Sequence, residues 1–198
     1  MRTRACVLTV FGAAIFLAQL PTSAAAETTS LCRFHEDPCL SIDYLTSREL
    51  VGSMVKLLSS VGTVECSTST LSISFSASLA TFLSGEVTNL SWATCKLGAT
   101  SCTVVTSNNG GVDVLRSGLN EAGVTLLGTE IAVECGKLIN CKFKGNIGLS
   151  ARGASFFNGN GEFSASKASI PLWSGIFCPK AMEWDGLYEA TTAFYIVS

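Results

Sequence analysis

Polar and apolar residues alternate strictly from Thr70 to Leu79, with Leu71, Ile73, Phe75, Ala77 and Leu79 interleaved by Ser72, Ser74, Ser76 and Ser78. Successive side chains of an extended chain point to opposite sides, so this period of two predicts a strand with one buried face. Glu130 to Cys135 repeats the pattern, with Ile131, Val133 and Cys135 on one side and Glu130, Ala132 and Glu134 on the other. Shorter stretches of the same kind predict strands at Gly62–Cys66, Val87–Cys95, Cys102–Thr106, Val112–Arg116, Cys141–Ile147, Glu162–Ala168 and Tyr188–Val197. Turn sequences separate them: Asn108-Asn109-Gly110-Gly111, Asn120-Glu121-Ala122-Gly123 and Asn158-Gly159-Asn160-Gly161. Arg48 to Val61 fits either element, because Leu50, Met54, Leu57, Leu58 and Val61 also suit one face of a helix. Val64-Glu65-Cys66 and Val133-Glu134-Cys135 echo one another and leave a duplicated half-domain open. Many short strands without a long helical pattern predict an all-β antiparallel sandwich, or a barrel, of about 9 to 11 strands.

The first 26 residues change where this domain is expected to reside. Arg2 and Arg4 precede an apolar run from Ala5 to Leu20, and Pro21 leads to the small residues Ser23 to Ala26. That order predicts a signal peptide over residues 1–26, cleaved before Glu27, with one domain over residues 27–198. The apolar run is shorter than the roughly 20 residues that span a bilayer, so no integral membrane segment is expected after cleavage. Loss of Arg2 and Arg4 leaves 11 basic against 15 acidic residues, a formal charge of −4. A mildly acidic chain gives no reason to expect nucleic acid as a partner.

Cleavage also removes Cys6 and leaves eight cysteines, an even set suited to an oxidising compartment and four disulfides. Residues directly opposed across a two-residue hairpin loop are an odd number apart, and Cys32/Cys39 and Cys95/Cys102 are each seven apart. The expected pairs are therefore Cys32–Cys39 and Cys95–Cys102, together with Cys135–Cys141, whose spacing of six suits an odd-numbered loop, and Cys66–Cys178 by elimination among 105 connectivities. The last of these would close a loop of more than a hundred residues, worth about 4.7 kcal/mol in the chain-entropy description.

Candidate chemistry is sparse. His35 lies between Cys32 and Cys39, but disulfide formation removes the thiolates that a zinc site would need, and no metal or other cofactor is implied. No serine sits in a Gly-x-Ser-x-Gly context that His35 could serve, and no catalytic set is expected. Glu65, Glu130, Glu134, Glu162 and Glu183 are the carboxylates from which a polysaccharide hydrolase would draw its pair. Asn158 to Glu162 lacks the alternating aspartates of a calcium loop and reads as a tight turn. Lys137, Lys142, Lys144 and Arg152, near Phe143 and Phe156, form a basic cluster in sequence, read as the solvated side of a strand. Trp92, Trp173 and Trp184 offer either sugar-stacking faces or core and rim packing. The serine row Ser72 to Ser78 suits water, a carbohydrate or another subunit.

Gly62-Thr63-Val64-Glu65-Cys66, Ser69-Thr70-Leu71, Trp92 with Cys95, Cys178-Pro179, Trp184-Asp185 with Tyr188, and Tyr195 occur in an order that resembles a group of uncharacterised secreted, disulfide-linked β-proteins of soil actinobacteria. The resemblance implies a strand over Arg48 to Leu58 and brings no activity or site residue. The expected function is a secreted or cell-envelope-associated, non-enzymatic binding or structural module, with a glycan or envelope component as a candidate partner. The alternatives are the two-carboxylate hydrolase and a protease inhibitor presenting the Cys95 to Cys102 loop.

Overall fold

The computed structural model describes residues 28–76 and 81–198, so the expected signal peptide over residues 1–26 and residues 77–79 of the expected Thr70–Leu79 strand lie outside the described residues. Eleven strands follow in order: β1 (Ser30–Cys32), β2 (Ser47–Ser59), β3 (Gly62–Phe75), β4 (Leu83–Leu97), β5 (Thr100–Asn108), β6 (Gly111–Gly118), β7 (Glu121–Cys135), β8 (Ile139–Arg152), β9 (Glu162–Ile176), β10 (Ala181–Ala190) and β11 (Tyr195–Val197). The region that also suited a helix is strand β2, whose Leu50, Gly52, Val55 and Leu57 point inward. All pairings are antiparallel, and each long strand pairs with the next until β10 returns to β2 and closes a barrel. Of the two architectures expected, the chain adopts the barrel.

Strands β5 and β6 share one of the eight positions around the barrel. β5 lies between β4 and β7 toward one end, and β6 lies between the same two strands toward the other. Asn108 to Gly111, expected to reverse the chain, is instead a jog between two collinear pieces. A Cβ on Gly110 (φ +76°) would sit 1.9 Å from the Leu127 carbonyl oxygen, which is why glycine is required there.

Comparable irregularities recur around the barrel's waist. Met54, Thr94, Gly110, Gly128 and Lys167 have positive φ, and the register shifts where β2 carries an extra residue at Met54, opposite Asp185 to Tyr188, and where β7 carries one between Leu126 and Thr129. Each such interruption bends its strand and changes which parity faces inward. In β3, Val64 and Cys66 face in below the waist, whereas Ser69, Leu71, Ile73 and Phe75 face in above it. The pattern therefore splits β3 into the two shorter strands expected from sequence. Tyr188 to Val197 divides in the opposite sense, into the end of β10 and the separate strand β11.

The interior is filled. Eight strands enclose a space just wide enough for side chains, occupied here by Leu50, Leu71, Leu126, Ile131, Phe163, Trp184 and Tyr188, each less than 2% exposed. Trp92 and Tyr188 lie 5.1 and 5.6 Å from Trp184, centroid to centroid. Gly52 leaves room for the Tyr188 ring, because a Cβ there would approach Tyr188 Cε1 to 3.0 Å. The Tyr188 hydroxyl donates to Ser69 Oγ (2.9 Å), which donates to the Ser91 carbonyl (2.8 Å). Burial pushes the Tyr188 phenol well above its ordinary pKa, by more than its hydrogen bond to Ser69 pulls it down.

The two ends of the barrel differ. One is plugged by the β1–β11 ribbon, with Phe194 buried edge-on against Phe163 at 5.9 Å. Asn120, at φ 57°, knits that end together: its Nδ2 donates to the Ala154 carbonyl and its Oδ1 accepts from Ile196 N–H, each at 2.9 Å.

The other end is stapled. Cys66, Cys95, Cys102 and Cys135 lie in one row across β3, β4, β5 and β7. The bonds are Cys66–Cys95 and Cys102–Cys135, with Cα separations of 3.9 and 4.2 Å, while Cys141 joins Cys178. These replace the expected Cys95–Cys102, Cys135–Cys141 and Cys66–Cys178 pairs; Cys32 is joined to Cys39. Cys95 and Cys102 do face each other, as their spacing requires. A two-residue loop, however, closes on a hydrogen-bonded pair, Leu97 and Thr100, and alternation makes Cys95 and Cys102 hydrogen-bonded as well. That is the wide kind of pair. Each cysteine is narrow-paired with its other neighbour, and the bonds form there. Cys141 faces Val133 rather than Cys135, which removes the remaining local pair.

Candidate binding groove at the plugged end

The structure separates the residues that sequence reasoning placed together. Lys137, Lys142 and Lys144 lie toward the stapled end, whereas Arg152 and Phe156 lie at the plugged end, at the far end of β8 and just beyond it. Phe143 points inward, 2% exposed. Lys144 is held between Glu130 (3.6 Å) and the Trp173 ring (5.3 Å). The three tryptophans do not converge on a cleft: Trp184 is fully buried, Trp92 packs against it, and Trp173 is exposed on the outer wall.

The carboxylates are also dispersed. Glu65 pairs with Lys56 at 3.6 Å, Glu130 accepts from Ser107 Oγ at 2.9 Å, and Glu134 accepts from Asn140 Nδ2 at 3.1 Å. Glu183 lies opposite Leu58 on β2, while Glu162 opens β9 at the plugged end. His35 stacks edge-on against Tyr195 at 5.3 Å, and no cluster of three metal-ligating side chains occurs among the described residues. The hairpin between Cys95 and Cys102, the loop that an inhibitor would present, has no bond across its base and is anchored instead by the Cys66–Cys95 and Cys102–Cys135 bonds on either side.

At the plugged end, Glu121, Arg152, Glu162 and Glu189 stand directly opposite one another across β7, β8, β9 and β10. Arg152 Nη2 lies 3.0 Å from Glu121 Oε1, and both side chains are about half exposed. Such a pair contributes less than ~1 kcal/mol, so a ligand can displace it. Three concavities share this row. One of about 230 Å³ lies between Ser117, Ser150 and Arg152; a second of about 530 Å³ opens from Arg152 toward His35, Tyr195 and Phe156. A third, of about 390 Å³, runs from Glu162 and Glu189 to Phe157 and Asn160. Together they make a groove along the rim, polar beside Ser117, Glu162 and Glu189 and more apolar toward Leu119, Phe156 and Tyr195.

The loop between β8 and β9 overhangs that groove. Ser155 and Asn158 hydrogen-bond side chain to side chain, Ser155 Oγ accepts from the N–H groups of Phe157 and Asn158, and Asn158 Nδ2 donates to the Gly153 carbonyl at 2.8 Å. Asn158 to Gly161 is thus a tight turn, with Gly159 and Gly161 at positive φ. Its internal bonds hold out Phe156 and Phe157, 97% and 95% exposed, with ring centroids 5.4 Å apart. Sequence reasoning singled out Arg152, Phe156 and Glu162 separately; Glu121 and Glu189 were missed, because only strand register brings them into the row.

No family model matches the chain, and no curated protein and no solved structure matches it. Among the described residues no helix is long and apolar enough to cross a membrane. The outward positions of β8, from Asn140, Lys142 and Lys144 to Asn146, Ser150 and Arg152, suit water rather than acyl chains.

Proposed function

We propose that the protein is secreted or held at the cell envelope and acts there as a non-enzymatic binding module that recognises carbohydrate. The observation that carries this reading is the Glu121–Arg152–Glu162–Glu189 row beneath fully exposed Phe156 and Phe157. Carboxylates and a guanidinium in one line supply acceptors and donors for sugar hydroxyls. A ring standing clear of the surface offers its face to the apolar side of a pyranose. Four disulfides in a small β domain are consistent with an extracellular setting. The filled interior supports binding at the rim rather than inside the barrel.

The test is a glycan array probed with oxidised protein, followed by titration of any retained glycan. Replacing Phe156 and Phe157 together by alanine is expected to weaken binding ~10-fold, and Arg152→Ala to weaken it as well, with thermal stability unchanged. An empty array, or a glycan whose affinity ignores all three positions, overturns the proposal.

A further inference from the structure

The stapled end carries a second exposed apolar surface, independent of the groove. Val61 lies in the β2–β3 turn, Leu138 in the β7–β8 turn, and Ile176 and Phe177 at the β9–β10 turn. They are 50%, 81%, 76% and 84% exposed. Large apolar side chains on three separate hairpin tips at one end of a water-facing barrel mark an interaction surface. Phe177 adds a second observation. Its backbone lies at φ 61°, a conformation unfavourable for a bulky residue and natural for asparagine or glycine. Neither burial nor backbone preference therefore accounts for a phenylalanine at this position.

Charge selects the occupant. The four turns at this end hold Lys137 and Lys180 and no acidic residue. Six lysines, Lys56, Lys96, Lys137, Lys142, Lys144 and Lys180, lie below the waist, against five carboxylates, Glu65, Glu130, Glu134, Glu183 and Asp185, the last opposite Lys56. The remaining described residues are net acidic, with nine carboxylates against Lys167 and four arginines. The three bonds Cys66–Cys95, Cys102–Cys135 and Cys141–Cys178 lie directly behind the tips, so little ordering is required on contact. We infer that the stapled end docks on an anionic lipid surface, with Leu138, Ile176 and Phe177 entering the interface and Lys137 and Lys180 facing the headgroups. Apolar insertion and electrostatic attraction together are what reversible interfacial binding requires.

Co-sedimentation of the oxidised protein, recovered after export, with phosphatidylcholine vesicles and with vesicles also containing phosphatidylglycerol tests this. The expected result is binding to the anionic vesicles, weakened by salt, and weaker binding to the neutral ones. Lys137→Gln with Lys180→Gln should lower affinity ~10-fold. Leu138→Ser with Phe177→Asn should lower it at least as much while leaving the melting temperature intact, since both residues are exposed and asparagine accepts the backbone of position 177. Phe156→Ala should leave vesicle binding unchanged, which separates this surface from the groove. Absence of binding to either vesicle overturns the inference, as does binding indifferent to the four tip substitutions. So does a dimer in solution that Leu138→Ser converts to monomer, because the surface would then be covered by a second copy of the chain.

Discussion

Tyr188 links chemistry to stability at the scale of one side chain. Its hydroxyl is buried inside the barrel and donates to Ser69, so Tyr188→Phe should cost about 1–2 kcal/mol in urea unfolding. The raised pKa gives that loss a pH signature. The folded state favours the neutral phenol, so its contribution is complete below the unfolded value of 10.0 and declines as pH rises above it. In that range the unfolded chain releases the proton while the folded one retains it, and stability falls by about 1.4 kcal/mol per pH unit. The gap between the parent and Tyr188→Phe should narrow as pH rises past 10.0, and parallel curves would count against this account. The inward position of Tyr188 follows from its even spacing from Trp184 along β10, which the expected strand, beginning only at Tyr188, left out. The inward position of Phe143, between Lys142 and Lys144, was legible from simple alternation.

Among the elements, the long strands show why pattern reading found pieces. β3, β7 and β9 run for 14 or 15 residues, but alternation breaks near the middle of each, so a period-two search sees two short strands or only one half. The jog at Gly110 is the same effect with its own turn-like sequence. The cysteine row carries the complementary lesson. The separation of Cys95 and Cys102 fixed that they face each other but not which kind of pair they make, and the wide kind left each free to bond on its other side. The Val-Glu-Cys echo has a structural counterpart, since Cys66 and Cys135 are the two ends of that row. Peptide mapping under non-reducing conditions should recover Cys66 with Cys95, Cys102 with Cys135, and Cys141 with Cys178. Loops of this length are each worth about 3.5–4 kcal/mol in the chain-entropy description, so replacing both members of one pair by alanine should lower the melting temperature markedly. A peptide joining Cys95 to Cys102 would overturn the register argument.

For the molecule as a whole, closure rests on one seam. Every other pairing around the barrel joins strands that are consecutive or one strand apart in sequence, whereas β2 and β10 are brought together across more than a hundred residues. Contacts of that span carry the greatest loop-closure cost and form late. Leu57, buried beside Trp184 across this seam, tests the point. Leu57→Ala should cost about 2–5 kcal/mol and express it mainly as faster unfolding, with refolding little changed. A slowed refolding rate would place the seam in the folding nucleus instead. All-β character was legible from composition and alternation, but the choice of barrel over sandwich was not, because only this distant pairing decides it.

The four bonds, taken in chain order, run Cys32–Cys39, Cys66–Cys95, Cys102–Cys135 and Cys141–Cys178, so each cysteine is bonded to the next one along the chain. No loop encloses or crosses another. A chain threaded N-terminus first into an oxidising space, joining each thiol to the next to emerge, reaches this set by arrival order alone, without any bond having to be broken and remade.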